Sequence, residues 1–434
     1  MSNTVSDRFG TPAYTADGLE RGPSLLSVPR NRLLWTIVGA GLAIRVVLAF
    51  AFQGTPAVAL EQAAAENVRN WDWHAVYDNG LLSWIYPPLF LSWFVGASWL
   101  SDLSGLSFHG LAKLGATLAD VGLALAIYTY LGWRGAGERA RLAGLGLVML
   151  GPSFIAVSGY HGQIDSAAIL PAVLALMLWE RRSTSTRAVK AGLLLGLGAA
   201  VKVPPLLLIP ALLGSVRSWR EATKLVVAAA VVPALVLAPL WISEVNLHRV
   251  ITYRGVGGWG GLSLVVDPGW GWRWLTIRGF HAPNGAAHAL EVASTRITVV
   301  TLMAYLAFVL RYRPAPVDAV VLLWLATYVF SPNFFLSYLV WGLPFFIMAG
   351  YLAEVAVLQC LLIAPTVAYY LALSPSRSMV DGVIYVPFLI ALWLFWVVAT
   401  FVLVRRIVKQ RAAHPSGIQP PLVSPAPGAS QARA

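Results

Sequence analysis

The chain has 434 residues, of which 58% are hydrophobic and 12% are charged. Water-soluble domains carry about 25% charged residues, so this composition excludes a soluble enzyme; apolar dominance excludes a disordered chain, and a single cysteine excludes a disulfide scaffold. The net charge of +12 would point to nucleic acid in a soluble protein, but beside repeated apolar runs it marks the cytoplasmic loops of a polytopic membrane protein.

Residues 1–32 are polar, lack the apolar core of a cleavable signal peptide, and are expected to form a disordered cytoplasmic tail. Leu33 to Phe52 is the first apolar run, long enough for about 30 Å of hydrocarbon at 1.5 Å per residue, and Arg45 interrupts it. A polar loop follows over about 53–83, placed outside the cytoplasm, with Glu61, Glu66, Arg69, Asp72, His74 and Asp78. Its stretch from Pro56 to Val68 reads as a short helix on the membrane surface.

Further apolar segments run approximately over 84–100, 111–131, 142–159, 165–179, 191–202, 204–214, 225–243, 296–311, 317–331, 336–351, 353–373 and 383–404. Basic clusters at Arg134 to Arg141, Arg181 to Lys190, Arg217 to Lys224, Arg311 with Arg313, and Arg405 to Arg411 belong on the cytoplasmic side. An even number of crossings must separate consecutive clusters. Segments 142–159 and 165–179 therefore form a hairpin with its outer turn at Gly159 to Asp165. Residues 191–214 form two short helices broken at Pro204-Pro205, with Lys202 at the outer tip; such breaks are tolerated where they line a cavity. Segment 84–100 is expected to be re-entrant, since a full crossing would leave Arg134 outside. A long outer loop covers about 244–295 and holds Tyr253-Arg254-Gly255 and Trp259, Trp270, Trp272 and Trp274. Residues 405–434 are expected to be a disordered cytoplasmic tail. The predicted fold is an all-α polytopic membrane protein, a bundle of about 11–13 transmembrane or re-entrant helices with helical outer loops.

The outer face collects carboxylates, cations and aromatics. A carboxylate takes a proton from an attacking hydroxyl, Lys and Arg hold phosphate, and aromatic rings stack on sugars or anchor at the headgroup level. The ordered motifs Tyr86-Pro87-Pro88-Leu89, Lys113 with Asp120, His161-Gly162-Gln163-Ile164-Asp165-Ser166, Lys202-Val203-Pro204-Pro205, and Ser331-Pro332 with Tyr338 and Trp341 resemble the GT-C superfamily of integral-membrane glycosyltransferases. The nearest branch contains the dolichyl-phosphate-glucose and dolichyl-phosphate-mannose dependent enzymes and their bacterial relatives. The resemblance runs from about Leu33 to Phe346. It implies a GT-C-like bundle, a polyprenyl-phosphate-linked sugar donor, and inverting transfer to an acceptor on the non-cytoplasmic face.

The resemblance also implies a catalytic carboxylate in the first outer loop. Family members carry Asp there, ahead of a Tyr; this chain has Glu61, with Tyr77 downstream. The extra methylene moves the carboxylate by about 1.5 Å, which keeps Asp72 as a rival base. Asp165, accompanied by His161 and Gln163, would orient an acceptor hydroxyl or a cation, against the plainer reading of a helix cap. Lys202 and Arg254 are the phosphate-binding candidates, since an ionisable residue deep in an apolar run is costly and usually functional; Tyr86, Tyr338, His161 and Gln163 complete the donor site. Arg45, Lys113 and Asp120 are expected to pair structurally. No cluster has metal-ligand spacing, so neither metal nor cofactor is expected.

The expected activity is transfer of a hexose, mannose before glucose, to a glycolipid, polysaccharide or protein acceptor. Abundant Ala, Leu, Val, Arg and Gly with few Lys fits a bacterium of high genomic GC content, hence the plasma membrane. The alternative is a transporter or lipid-linked-sugar flippase, which would concentrate its polar groups near the membrane midplane.

Overall fold

The computed structural model describes residues 31–78, 84–181, 186–248, 250, 260–268, 285–373 and 382–413, within which every regular element is helical. Asn31 caps α1 (Arg32–Ala51), its side chain accepting from the Leu33 amide at 2.9 Å. Two loop helices follow, α2 (Ala57–Arg69) and α3 (Trp73–Tyr77), then α4 (Leu91–Ser104) and the long α5 (Phe108–Trp133). Helix α6 (Glu138–Met149) continues, after a break at Gly151-Pro152, into a π-helical turn at Ile155–His161. Next come α7 (Asp165–Glu180), α8 (Arg187–Val201), a 3-10 turn at Pro204–Leu207 leading into α9 (Leu208–Leu213), and α10 (Trp219–Ile242). The chain closes with α11 (Ser294–Tyr312), α12 (Pro316–Phe330), α13 (Leu339–Met348), α14 (Leu352–Leu361), α15 (Ile363–Leu373) and α16 (Gly382–Ala413).

Among the described residues six helices are long and apolar enough to cross a membrane, and α14 with α15, bent by 45° at their junction, are together as long and apolar. The shorter apolar helices α9, α12 and α13 complete the bundle. Contacts between distant residues sort the helix ends into two groups. At the arginine-rich end Asn31 bonds Glu138, Tyr130 bonds Glu180, Arg187 pairs with Glu221 at 2.6 Å, and Arg406 reaches Tyr351. At the opposite end Lys113 bonds the Phe52 carbonyl, Lys202 meets Asp165, and the Leu262 amide bonds the Ser331 carbonyl.

Helix α4 does not pass between these ends. Arg69, in the last turn of α2, meets Asp102, near the end of α4, at 2.6 Å, and Tyr77 of α3 bonds the Tyr86 carbonyl just before α4. Both ends of α4 therefore lie on the Lys202 side, so 84–100 returns to the face it left and Arg134 stays with the other basic residues, as expected. The break at Pro204-Pro205 also stands where the sequence put it, with Lys202 at the tip.

The core is formed by α5, α7, α12 and α13, whose side chains are buried almost all round. Helices α8 and α10 pack through Gly192 and Gly196, where an added Cβ would come within 2.5 Å of the Leu225 carbonyl oxygen and 2.6 Å of that of Ala229. This close approach of small residues four apart lets membrane helices associate without a hydrophobic driving force between them. Deep in the bundle, Arg45 pairs with Asp120 at 2.9 Å and also donates to Ser158 and to the carbonyls of Gly41, Val148 and Met149. This is the expected structural pair, with one correction: Lys113 is not part of it. Of the tails expected over 1–32 and 405–434, residues 1–30 and 414–434 lie outside the described residues. The boundary at 405 moves, because α16 runs on to Ala413 through residues of good helix propensity.

Candidate active site

Helix α2 turns one face inward, and its buried positions Val58, Glu61, Ala64 and Ala65 follow helical spacing. Glu61 therefore lies on the apolar stripe, 3% exposed, and its Oε2 has no hydrogen-bond partner. Burial pushes the Glu61 carboxyl well above the ordinary carboxylate range, and the ammonium groups of Lys113 and Lys202 pull it partly back. Lys113 is fully buried on α5 and donates to the Phe52 carbonyl at 2.6 Å. Two left-handed glycines close around it. At Gly54, φ +88°, an added Cβ would lie 3.1 Å from Lys113 Nζ; at Gly162, φ +85°, it would lie 3.0 Å from Lys113 Cγ. Backbone this close to a lysine stem, at positive φ, requires glycine.

Asp165 is the first residue of α7 and is fully buried. One oxygen, Oδ1, accepts from Lys202 Nζ at 2.6 Å and from the Trp341 indole N–H. The other, Oδ2, has no partner. Its bonds run to other helices, so the plain cap reading fails. Lys202 is the extended residue that caps α8, held in place by the proline pair that starts the next turn. Three rings surround its ammonium: Tyr86 at 4.7 Å, Trp341 at 5.4 Å and Tyr338 at 5.6 Å. Tyr338 and Trp341 stack on each other at 3.9 Å. A carboxylate and three π faces together offset the hydration this buried ammonium gives up.

The π-helical turn ends at His161 and is stopped by Gly162; such turns recur at functional sites. His161 Nδ1 lies 2.6 Å from Thr55 Oγ1, and its ring stands 5.1 Å from that of Tyr370. Beside it the Tyr86 hydroxyl donates to Gln163 Oε1 at 3.4 Å.

The structure thus gathers Glu61, Tyr86, His161, Gln163, Asp165, Lys202 and Tyr338 at one end of the bundle. It does not bring Asp72 to them. Asp72 is exposed and caps α3, accepting from the Ala75 amide at 2.9 Å. Arg254 lies outside the described residues. Three members escaped the sequence reading. Lys113 had a signal, an ionisable residue in an apolar run, but its partner was misassigned. Thr55 and Tyr370 had none, since each is a common residue beside an apolar segment. Among the described residues no three His, Cys, Asp or Glu side chains converge as a metal set would.

The sequence model of glycosyltransferase family 87 matches residues 84–332, more than half of the chain. No curated protein sequence matches. Among solved structures, ArnT from Cupriavidus metallidurans in the apo state is 18% identical at a TM-score of 0.48, covering 88% of this chain and 74% of that one. The same protein bound to undecaprenyl phosphate gives 17% and 0.46, over 87% and 78%. The oligosaccharyltransferase AglB from Archaeoglobus fulgidus, in complex with an inhibitory peptide and a dolichol-phosphate, gives 14% and 0.41, over 86% of this chain and 55% of that one.

Proposed function

The chain belongs to glycosyltransferase family 87, and from that premise we propose that it moves a hexose from a polyprenyl-phosphate donor to an acceptor hydroxyl, with Glu61 as the base. Glu61 removes the acceptor proton as the oxygen attacks the anomeric carbon from the face opposite the phosphate. The anomeric C–O bond breaks, its electron pair goes to the departing phosphate, and the sugar inverts. One oxygen of a buried carboxylate, free of partners within reach of two ammonium charges, carries this reading. A base whose affinity for protons has been raised by burial works better at neutral pH than an ordinary carboxylate.

Lys202 has three N–H donors and gives one to Asp165. The others are available to the negative charge that develops on the phosphate oxygen, where preorganised cations act most strongly. Arg254 is the second phosphate candidate. The basic clusters collect at the end away from Glu61, which under the positive-inside rule supports a site on the non-cytoplasmic face; the membrane we propose is the plasma membrane of a bacterial cell. Mannose is the favoured sugar and glucose the next; a glycolipid, polysaccharide or protein is the acceptor. The carrier alternative gains no support, because the ion pair deep in the bundle, Arg45 with Asp120, spends the arginine's donors on fixed protein partners.

The test offers purified protein in nanodiscs a panel of polyprenyl-phosphate sugars, wild type beside Glu61→Gln. Turnover of one donor by wild type, lost in the variant while donor binding persists, supports both enzyme and base. Turnover that survives the substitution removes Glu61 as base. Absence of both turnover and binding for every donor overturns the donor class.

A further inference from the structure

The residues leading into α2 lie along the π-helical turn that ends at His161, although about a hundred residues of chain separate the two. The Phe52 ring centroid stands 6.0 Å from that of Tyr160. At Gly54, φ +88°, an added Cβ would overlap the Tyr160 carbonyl oxygen, so glycine is what lets the two backbones approach. Thr55, 3% exposed, places its Oγ1 2.6 Å from His161 Nδ1. An added Cβ on Gly162 would lie 3.5 Å from Val58 Cγ2. Thr55 also opens α2: its carbonyl accepts from the Val58 amide at 3.1 Å, and α2 has no side-chain cap of its own. The turn is the better anchored partner. Its Ser158 donates to Asp120 at 2.6 Å and accepts from Arg45 at 3.0 Å, and the Tyr370 ring backs the imidazole at 5.1 Å.

We propose that His161 is a positioning residue for the base: through Thr55 it fixes where α2 starts, and so where the Glu61 carboxylate stands. Glu61 follows Val58 by three residues on the same buried face of α2, so a shift or roll at Thr55 passes along the helix to its side chain. Thr55 suits this task, because a β-branched side chain is stiff at χ1 and a hydroxyl can donate or accept, so the contact is made with either neutral imidazole tautomer. The order of motifs grouped His161 with the donor site; its Nδ1 is spent instead on the segment that leads into the base helix. A displacement of about 1 Å at a reacting group costs about 100-fold in rate, so neither Thr55 nor His161 needs to touch substrate to set the turnover. The inference rests on the reading of Glu61 as base and deepens it, adding the contact that aims the carboxylate.

The test compares Thr55→Val, which keeps the shape and removes the hydroxyl, with Thr55→Ser, which keeps the hydroxyl. Turnover of the accepted polyprenyl-phosphate hexose is measured for each, alone and combined with Glu61→Gln. Thr55→Val is expected to lower kcat by about 10- to 100-fold with the donor KM within a few-fold, and Thr55→Ser to restore the rate. With Glu61→Gln already present, Thr55→Val should cost almost nothing more, because both changes act through one carboxylate. His161→Leu should repeat the Thr55→Val loss, and the two together should lose no more than either alone. A Thr55→Val loss of equal size with and without the Glu61 carboxylate, or no loss at all, overturns the proposal. Where Glu61→Gln itself leaves turnover intact, or wild type turns over no donor, the reading of the base or of the donor falls separately. The positioning contact is then read from amide hydrogen exchange over residues 57–65 of the whole protein in nanodiscs. Faster exchange in Thr55→Val, reversed in Thr55→Ser, retains it, and unchanged exchange overturns it.

Discussion

Two glutamates at opposite ends of this bundle keep their side chains out of water, Glu61 at 3% exposed and the Glu180 side chain at 5%, and they are treated differently. Glu180, at the arginine-rich end of α7, has both oxygens occupied. Tyr130 donates to Oε2 at 2.7 Å, Arg134 stands 3.5 Å from the same oxygen, and the Val317 amide donates to Oε1 at 3.2 Å. Glu61, at the other end, is as well buried, but its Oε2 is left open and its nearest cations act through space. A carboxylate saturated by fixed donors stabilises one arrangement of helices and has no lone pair left for a substrate. A carboxylate buried and left open weakens the fold unless something else uses it. The contrast separates Glu61 from Glu180 more sharply than burial or charge does.

The strongest way to break this contrast is Glu61→Gln. The shape is kept and only the proton affinity is lost, so kcat is expected to fall by about 10²- to 10⁴-fold, the usual contribution of a general base. Donor affinity stays within a few-fold, and the melting temperature does not fall. A variant that keeps its rate while losing stability would make Glu61 a strut like Glu180.

Glu180→Ala should show the reverse pattern. It takes one partner from each of Arg134, Tyr130 and the Val317 amide, and breaking such a set costs about 2–4 kcal/mol. The check is a chemical or thermal unfolding midpoint in detergent beside turnover per folded molecule. The midpoint falls and the turnover of the surviving protein does not.

Proton affinity gives a third, smaller test. The raised value of folded Glu61 means that, above the ordinary carboxylate range, the native state holds a proton the unfolded chain has released. Stability therefore falls as pH rises through that window, and Glu61→Gln removes this part of the slope. Activity has the opposite sign, because the base works only when ionised, so its acidic limb sits above the ordinary carboxylate range. Lys113→Met removes a charge that favours ionised Glu61 and should move the limb to still higher pH. A limb that stays in place would uncouple Lys113 from Glu61.

Much of this arrangement was legible in the sequence because a membrane makes rules strict. Apolar length set the spans, basic clusters set their ends, and parity taken together with the positive-inside rule made 84–100 re-entrant. Pro204-Pro205 announced the break that presents Lys202. The apolar stripe of α2 even contained Glu61, a carboxylate where Val58 and Ala65 point inward. What the sequence hid was partner choice. Arg45, Lys113 and Asp120 look alike as charges in apolar runs, and only the turns at Gly54 and Gly162 direct Lys113 toward Phe52 and Glu61. Tyr370 was invisible because its contact with His161 joins residues far apart along the chain and exists only in the fold.

Asp72 supplies the smallest effect and the cleanest control. By sequence it rivalled Glu61: same loop, same polar neighbourhood, and a carboxylate flanked by Trp71 and Trp73. In the fold it differs in each respect that matters. It is exposed, it lies outside the cluster, and its oxygen is already used on the Ala75 amide. Trp71 before it adopts φ 59° and is 83% exposed, so the chain reverses there and presents Asp72 to the surface. Asp72→Ala removes a cap worth about 0.5–2 kcal/mol of local helix stability. Because α3 is five residues long and anchored by buried Val76 and Tyr77, that loss stays local. Turnover is expected to remain within about 2-fold of wild type, the range of ±0.5 kcal/mol typical of surface substitutions. A loss approaching that of Glu61→Gln would transfer the base from the buried, open carboxylate of Glu61 to the exposed, occupied one of Asp72.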